Sequence, residues 1–180
     1  DTRVNEQPQL SIIQTMWVRQ HNRVAGKLRG LNPSWNNDDE KLYQETRRII
    51  VAEIQHIVYK EWLPIILGTH TMDFYGLEPK SSGYFNGYST SRDATIINEF
   101  SAAAFRFGHT LVQGDLELHS IYGKAGSVVL SENFDNPALI FSVITFEQLL
   151  RGLFKQPMQN FDKCVVDDLT NKLFKVRNHS

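Results

Sequence analysis

From Pro8 onward a stripe of positions recurs at steps of three and four: Leu10, Ile13, Trp17, His21, Val24 and Leu28. That spacing predicts an amphipathic helix. Proline suits a first helical turn, where no N–H bond is needed. Gly30 and Asn32-Pro33 predict the end of the helix, and a polar loop runs from Ser34 to Asp38. A second helix is predicted from near Asp39, with acidic residues in its first turn that suit the helix dipole. Leu42, Thr46, Ile49, Ile50, Ile57 and Val58 support it, Pro64 should kink or end it, and Gly68 closes the segment. Residues 69–92 hold seven Gly and Ser, together with Pro79, and predict a long irregular loop. Asp93 is expected to cap a third helix reaching about Phe107, with Gly108 and His109 at its C-terminal end. Residues 113–136 look mixed and loop-like. Two more helices are expected near 137–155 and 159–176. Strand-type alternation is rare, and the fold class is mainly α.

Length and composition narrow the class. The 180 residues are enough for about one domain. Apolar residues make up 41% and charged residues 22%, as in ordinary globular proteins. With 19 basic and 20 acidic residues the net charge is −1, so nothing points to nucleic acid. No apolar run is long enough for a membrane span. Cys164 is the sole cysteine, so it makes no internal disulfide or thiolate cluster. It reads as a buried reduced thiol, or as half of a bridge to chain beyond this segment. Asn178-His179-Ser180 is a glycosylation acceptor, informative only in a secreted protein.

The third predicted helix carries the candidate chemistry. Ala102, Phe105 and Arg106 precede His109 by seven, four and three residues, which places all four on one helical face. Ser101 and three alanines keep the middle of that helix thin, so a flat partner can approach the backbone. Haem fits such a face, because its iron needs an axial imidazole and its propionates need cations. By spacing alone, however, a histidine at a helix end is more often a dipole-stabilising or capping residue. Arg3 and Glu6, three residues apart before the Pro8 helix, read equally as a solvated turn or a capping arrangement. His21 reads as a packed histidine hydrogen-bonded to a neighbouring helix, His56 as partly exposed, and His70 and His119 as loop residues. No two histidines have metal-binding spacing.

Longer stretches change that balance. DTRVNEQPQL at 1–10, WVRQHNRVAGKLRGLNPSW at 17–35, LYQETRRIIVAEIQHIVYKEWLPIILG at 42–68 and NEFSAAAFRFGHTLV at 98–112 resemble the animal haem peroxidases. The later LLRGLFKQPMQ and DDLTNKLF are similar too, so the likeness spans essentially the whole chain in family order. The TRVNEQ opening is closer to the peroxidasin and insect chorion peroxidase members than to the mammalian leukocyte enzymes.

The resemblance implies roles residue by residue. His109 matches the axial ligand of the haem iron, Arg3 the catalytic arginine on the opposite side, and Arg106 a residue near the haem propionates. Glu6 matches a glutamate that can form an ester with a haem methyl, so haem b is the implied cofactor, with a covalent link through Glu6 open to test. Gln7 stands where myeloperoxidase has a methionine that bonds to haem, which excludes that link. Hydrogen peroxide and a small reducing donor or halide are the implied reaction partners, in a secreted protein.

The chain is expected to be a partial catalytic domain, 1–180, truncated at both ends, with the rest of the parent chain as its packing partner. The distal histidine, the other ester-forming aspartate and a calcium loop are expected upstream, and an asparagine partner of His109 just downstream. The segment alone is therefore expected to show little turnover. A non-catalytic peroxidase-like module for adhesion or matrix assembly is the competing reading. The pair Arg3 and His109 discriminates between them, and both are present.

Overall fold

The computed structural model describes Thr2–Lys175. The glycosylation triplet Asn178-His179-Ser180 lies outside the described residues. The chain divides into two compact units, one of residues 1–16 with 94–180 and one of residues 17–93.

Helix α1, Pro8–Leu31, contributes its first turns to the first unit and the remainder to the second. The Gln7 side-chain oxygen accepts the N–H of Gln9 at 2.7 Å, occupying a donor that has no partner inside the helix. Ile12 is fully buried, whereas Leu10 and Ile13 are 39% and 43% exposed. The expected stripe is therefore rotated by a residue in the first half of α1. In the second half it holds, with Val24 buried.

In the second unit, α2 runs Asp39–His56 behind the N-cap Asp38, whose carboxylate accepts the Lys41 N–H. Leu42, Thr46 and Ile50 are its buried positions, and the Thr46 hydroxyl is satisfied by Leu42 O at 2.7 Å. His21 packs its ring 5.4 Å from Tyr43, as the sequence predicts, but its buried Nε2 has no hydrogen-bond partner among the described residues, so the expected bond to a neighbouring helix is not made. Approaching Pro64, the helix widens into a π turn over Ile57–Trp62, where the Leu63 N–H reaches Val58 O. Proline has no N–H and its ring crowds the carbonyl four residues back, and an i→i−5 turn accommodates both. Helix α3, Leu63–Leu67, then ends at Gly68, which takes φ 76°. The irregular loop is shorter than expected. Thr69–Phe74 forms α4, with His70 inside it and Met72 buried, and irregular backbone follows.

The first unit departs further from the pattern-based reading. Asp93 does not cap a helix. The run Thr95-Ile96-Ile97 is stiff at χ1 and poorly suited to helix, and α5 begins only at Asn98 and ends at Ala102. Ala103, at φ −128° and ψ −69°, breaks the chain direction, and Ala104–Leu111 continues as a 3-10 helix. Residues expected to be loop-like form an antiparallel hairpin of β1, Asp115–Ser120, and β2, Gly123–Val129, with a bulge at Leu118/His119. His119 is therefore a strand residue. The Gly-Lys-Ala-Gly-Ser start of β2 has little strand propensity, which hides the hairpin from a pattern search.

Helix α6, Val143–Lys155, is capped by the Ser142 hydroxyl and buries Phe146, Leu149 and Gly152. The expected helix near 159–176 is absent from the described residues, where extended chain and a π turn at Asp168–Lys172 stand instead. Pro157 and the β-branched pair Val165-Val166 oppose a helix there. Cys164 is exposed rather than buried.

Ile12, Leu116, Leu130, Phe134, Phe146 and Leu149 make the core of this unit, each worth roughly 1.5–3 kcal/mol on burial. The outer edge of β1 is closed by one side chain. The Gln156 amide accepts from Glu117 N at 3.0 Å and donates to Asp115 O at 2.7 Å. Gly152 lies so close to β1 that an added Cβ would sit 1.9 Å from Glu117 O. Gly152→Ala is therefore expected to push α6 off the hairpin and to cost about 1–3 kcal/mol, as overpacking does. An unchanged urea midpoint for this variant would show that the contact is loose.

Candidate functional site

The N-terminal segment makes one 3-10 turn, Thr2–Asn5, and Glu6 N–H bonds to Arg3 O at 3.1 Å. Side chains three apart are eclipsed in such a turn, so Arg3 and Glu6 lie over one another. The Glu6 carbonyl accepts the N–H of Asp135 at 3.4 Å. Asp135 has φ 52° and is the one non-glycine with positive φ among the described residues.

The same threefold repeat governs the second cluster. Arg106 and His109 are three apart on the 3-10 helix Ala104–Leu111 and therefore share a face. Arg106 folds back, its Nε donating to Ser101 O at 3.0 Å. Phe105, expected on that face, turns away instead. It is 54% exposed and packs 5.6 Å from Phe100. The α-helical wheel fails here because the segment turns with three residues rather than 3.6.

A cavity of about 680 Å³ collects these groups. Arg3, Glu6, Gln7, Ala102, Arg106 and His109 all line it, so the four residues singled out in the sequence converge on one space. The rest of the wall is largely apolar: Leu10, Val112, Leu130, Phe134, Leu169, Leu173 and Phe174. Sequence reasoning missed Leu130, Phe134, Leu169 and Leu173, which come from the 3-10 turn Leu130–Asn133 after β2 and from the C-terminal π turn, each with the residue that follows it. The volume lies in the range of small-molecule and cofactor pockets.

Two guanidiniums, a carboxylate and an imidazole in an apolar chamber suit an anionic ligand with a flat apolar body and a Lewis-acid centre. Among the described residues no three His, Cys, Asp or Glu side chains cluster as a metal site. A single imidazole can still ligate a metal that brings its other ligands with it. The residues present thus fit haem.

Asp168, which precedes the wall residue Leu169, is 9% exposed. Its carboxylate accepts Ser131 N–H at 3.0 Å. Burial pushes its carboxyl up, but the hydrogen bonds from Ser131 and the charge of Lys172 outweigh this and hold it below the usual aspartate value. The Asn171 and Lys172 side chains lower Asp167 through hydrogen bonds, and the bond to Asp167 raises Lys172. On the hairpin, hydrogen bonds from His119 and Lys124 lower Glu117.

Comparison with known proteins agrees with this chemistry. The sequence profile of the family described as animal haem peroxidase matches residues 1–180. The chain is 40% identical over 176 residues to a chorion peroxidase of Drosophila melanogaster, covering 97% of this chain and 22% of that protein. It is 41% identical over 181 residues to a peroxidasin homolog of Mus musculus, covering 97% of this chain and 12% of that protein. The solved structure of peroxidase A from Dictyostelium discoideum superposes with a TM-score of 0.78 at 37% identity, over 94% of this chain and 30% of that one. The chain belongs to the animal haem peroxidase family, and its mainly α fold is that family's. It spans between about an eighth and a quarter of the length of the curated relatives it matches.

Proposed function

We propose that this chain is the haem-holding part of a secreted peroxidase that uses hydrogen peroxide to oxidise a small organic donor or a halide. The observation that supports the reading is the convergence of Arg3, Glu6, Arg106 and His109 on one cavity. Haem bound there supplies the redox chemistry, while the protein supplies ligand, orientation and electrostatics.

His109 would hold the iron through the lone pair of a ring nitrogen. Arg106 offers its guanidinium to a propionate. Arg3 places a permanent positive charge where negative charge develops as the peroxide O–O bond breaks. The apolar wall of Leu130 and Phe134 would limit water around a bound haem and strengthen each of these interactions. The acid–base step that moves the peroxide proton belongs to a histidine of the parent chain outside this segment, and a calcium site belongs there too. No helix among the described residues is long and apolar enough to cross a membrane.

The direct test uses the full-length protein. Purified from a haem-supplemented host, it is expected to show a Soret band at one haem per chain and peroxide-dependent oxidation of guaiacol. Haem-free protein that stays inactive after reconstitution would overturn the reading in favour of a non-catalytic module.

Glu6 makes a sharper prediction. Its place above Arg3 in the same turn suits a carboxylate facing a haem methyl, where an unlinked charge in a dry pocket is costly. During early turnovers the carboxyl is expected to bond to the methyl carbon. One methyl C–H and the carboxyl O–H are lost, one peroxide is reduced, and two waters form. Peptide mass spectrometry after peroxide treatment should find a haem adduct at Glu6 that Glu6→Gln lacks. The same adducts in both proteins would leave Glu6 an electrostatic role only.

A further inference from the structure

We infer that Asp168 is the positioning residue of the cavity, a buried carboxylate that ties together the three chain segments on which its apolar wall and His109 are mounted. The inference deepens the peroxidase reading and rests on it.

Three observations converge. Asp168 Oδ1 accepts the Ser131 N–H at 3.0 Å, and Ser131 sits between the wall residues Leu130 and Phe134. Asp168 itself precedes Leu169 and stands five residues before Leu173, both in the same wall. On its other side the carboxylate meets Gly114, where a Cβ would lie 3.0 Å from Oδ2. Gly114 is two residues past the wall residue Val112 and five past His109, and its carbonyl accepts Leu130 N–H at 2.7 Å. The 3-10 turn after β2, the π turn and the chain leaving the His109 helix thus meet at one side chain.

The chemistry explains why the side chain is acidic. The meeting point offers the part-buried Ser131 N–H, and an N–H withdrawn from water without a partner is costly. A carboxylate accepts several such bonds at once and makes them stronger than a neutral acceptor does. Its own burial is offset by the Ser131 bonds and by Lys172, 4.0 Å away. An apolar residue of similar size would remove the bond to the Ser131 N–H and free the π turn to drift. Leu169 and Leu173 would then move from the cavity, and the His109 segment would lose a lateral stop.

The test uses the full-length protein before any exposure to peroxide, so that haem is held without ester links. Asp168→Ala is expected to release haem to apomyoglobin at least tenfold faster than wild type and to shift the Soret band. Asp168→Asn keeps one acceptor oxygen and should recover most of that loss. Gly114→Ala, which presses on the carboxylate without removing it, should shift the band in the same direction. Gly152→Ala separates positioning from general stability, because it strains the α6–β1 contact and lines no part of this cavity. At matched loss of stability it should leave haem release near wild type. Equal release from Gly152→Ala and Asp168→Ala, or wild-type release and spectrum in Asp168→Ala, would overturn the inference. If His109→Ala also keeps haem and spectrum, the peroxidase reading itself is at fault. If His109→Ala loses them while Asp168→Ala does not, only the role of Asp168 falls.

Discussion

In the full-length protein, His109→Ala is expected to abolish the peroxidase-type spectrum and nearly all turnover. Among the described residues His109 is the one imidazole on the cavity wall, carried in the last turn of a 3-10 helix that also supplies Arg106. Without it the iron has no protein ligand from that wall, and the haem is held by propionate contacts and apolar packing alone. Mutating even an outer partner of a metal ligand typically costs about 10–100-fold in affinity or activity, so removing the ligand should cost more. Soret absorbance and haem content after gel filtration measure the first effect, and guaiacol oxidation the second. Added imidazole should restore part of the spectrum by filling the vacated position. A variant with an unchanged Soret band and unchanged turnover would remove His109 from the iron.

Arg3→Gln should separate binding from chemistry. The guanidinium lines the cavity from the N-terminal turn, where it serves as a preorganised charge rather than as an iron ligand. Haem content and the Soret band should therefore stay close to wild type. The rate of reaction with peroxide should fall by about 10²–10³, the loss typical of one charge-stabilising donor in an oxyanion site. Glutamine retains hydrogen-bonding capacity and loses the permanent charge and rigid fork of donors. Arg3→Lys should fall between the two, since it restores charge without the fork. Stopped-flow mixing with peroxide at several concentrations gives the second-order rate directly. A rate within a few-fold of wild type for Arg3→Gln would exclude Arg3 from the mechanism.

Spacing showed which site residues share a face, and the resemblance of longer stretches supplied their roles. Arg3 and Glu6 are three apart, and so are Arg106 and His109, and that interval puts each pair on one face in either kind of helix. Phe105 shows where spacing misleads. It shares the face of His109 at 3.6 residues per turn and leaves it at three. The break at Ala103 that forces the tighter turn has no signature in the run Ser101-Ala102-Ala103-Ala104. The hairpin was hidden for a related reason. The sequence Asp115-Leu116-Glu117-Leu118 alternates, but its partner strand is rich in glycine and small residues, and its pairing is held by α6 and Gln156 rather than by strand propensity.

By itself the sequence determined the local terms. Pro8, Asp38, Gly68 and Ser142 begin or end helices by offering or removing single hydrogen bonds and by permitting particular dihedral angles, all within a few residues. The residue types of the site, two guanidiniums, a carboxylate and an imidazole, are likewise plain in the chain, and longer stretches show the family. Only the tertiary structure decided that residues 3 and 6 meet residues 106 and 109 around one cavity, and that Leu130, Phe134, Leu169 and Leu173 complete its wall. Those contacts join segments tens to more than a hundred residues apart. Their energy comes from burying apolar faces together and from satisfying part-buried donors such as the Ser131 N–H. A linear pattern records that a face is apolar, and close packing in three dimensions selects the face it meets.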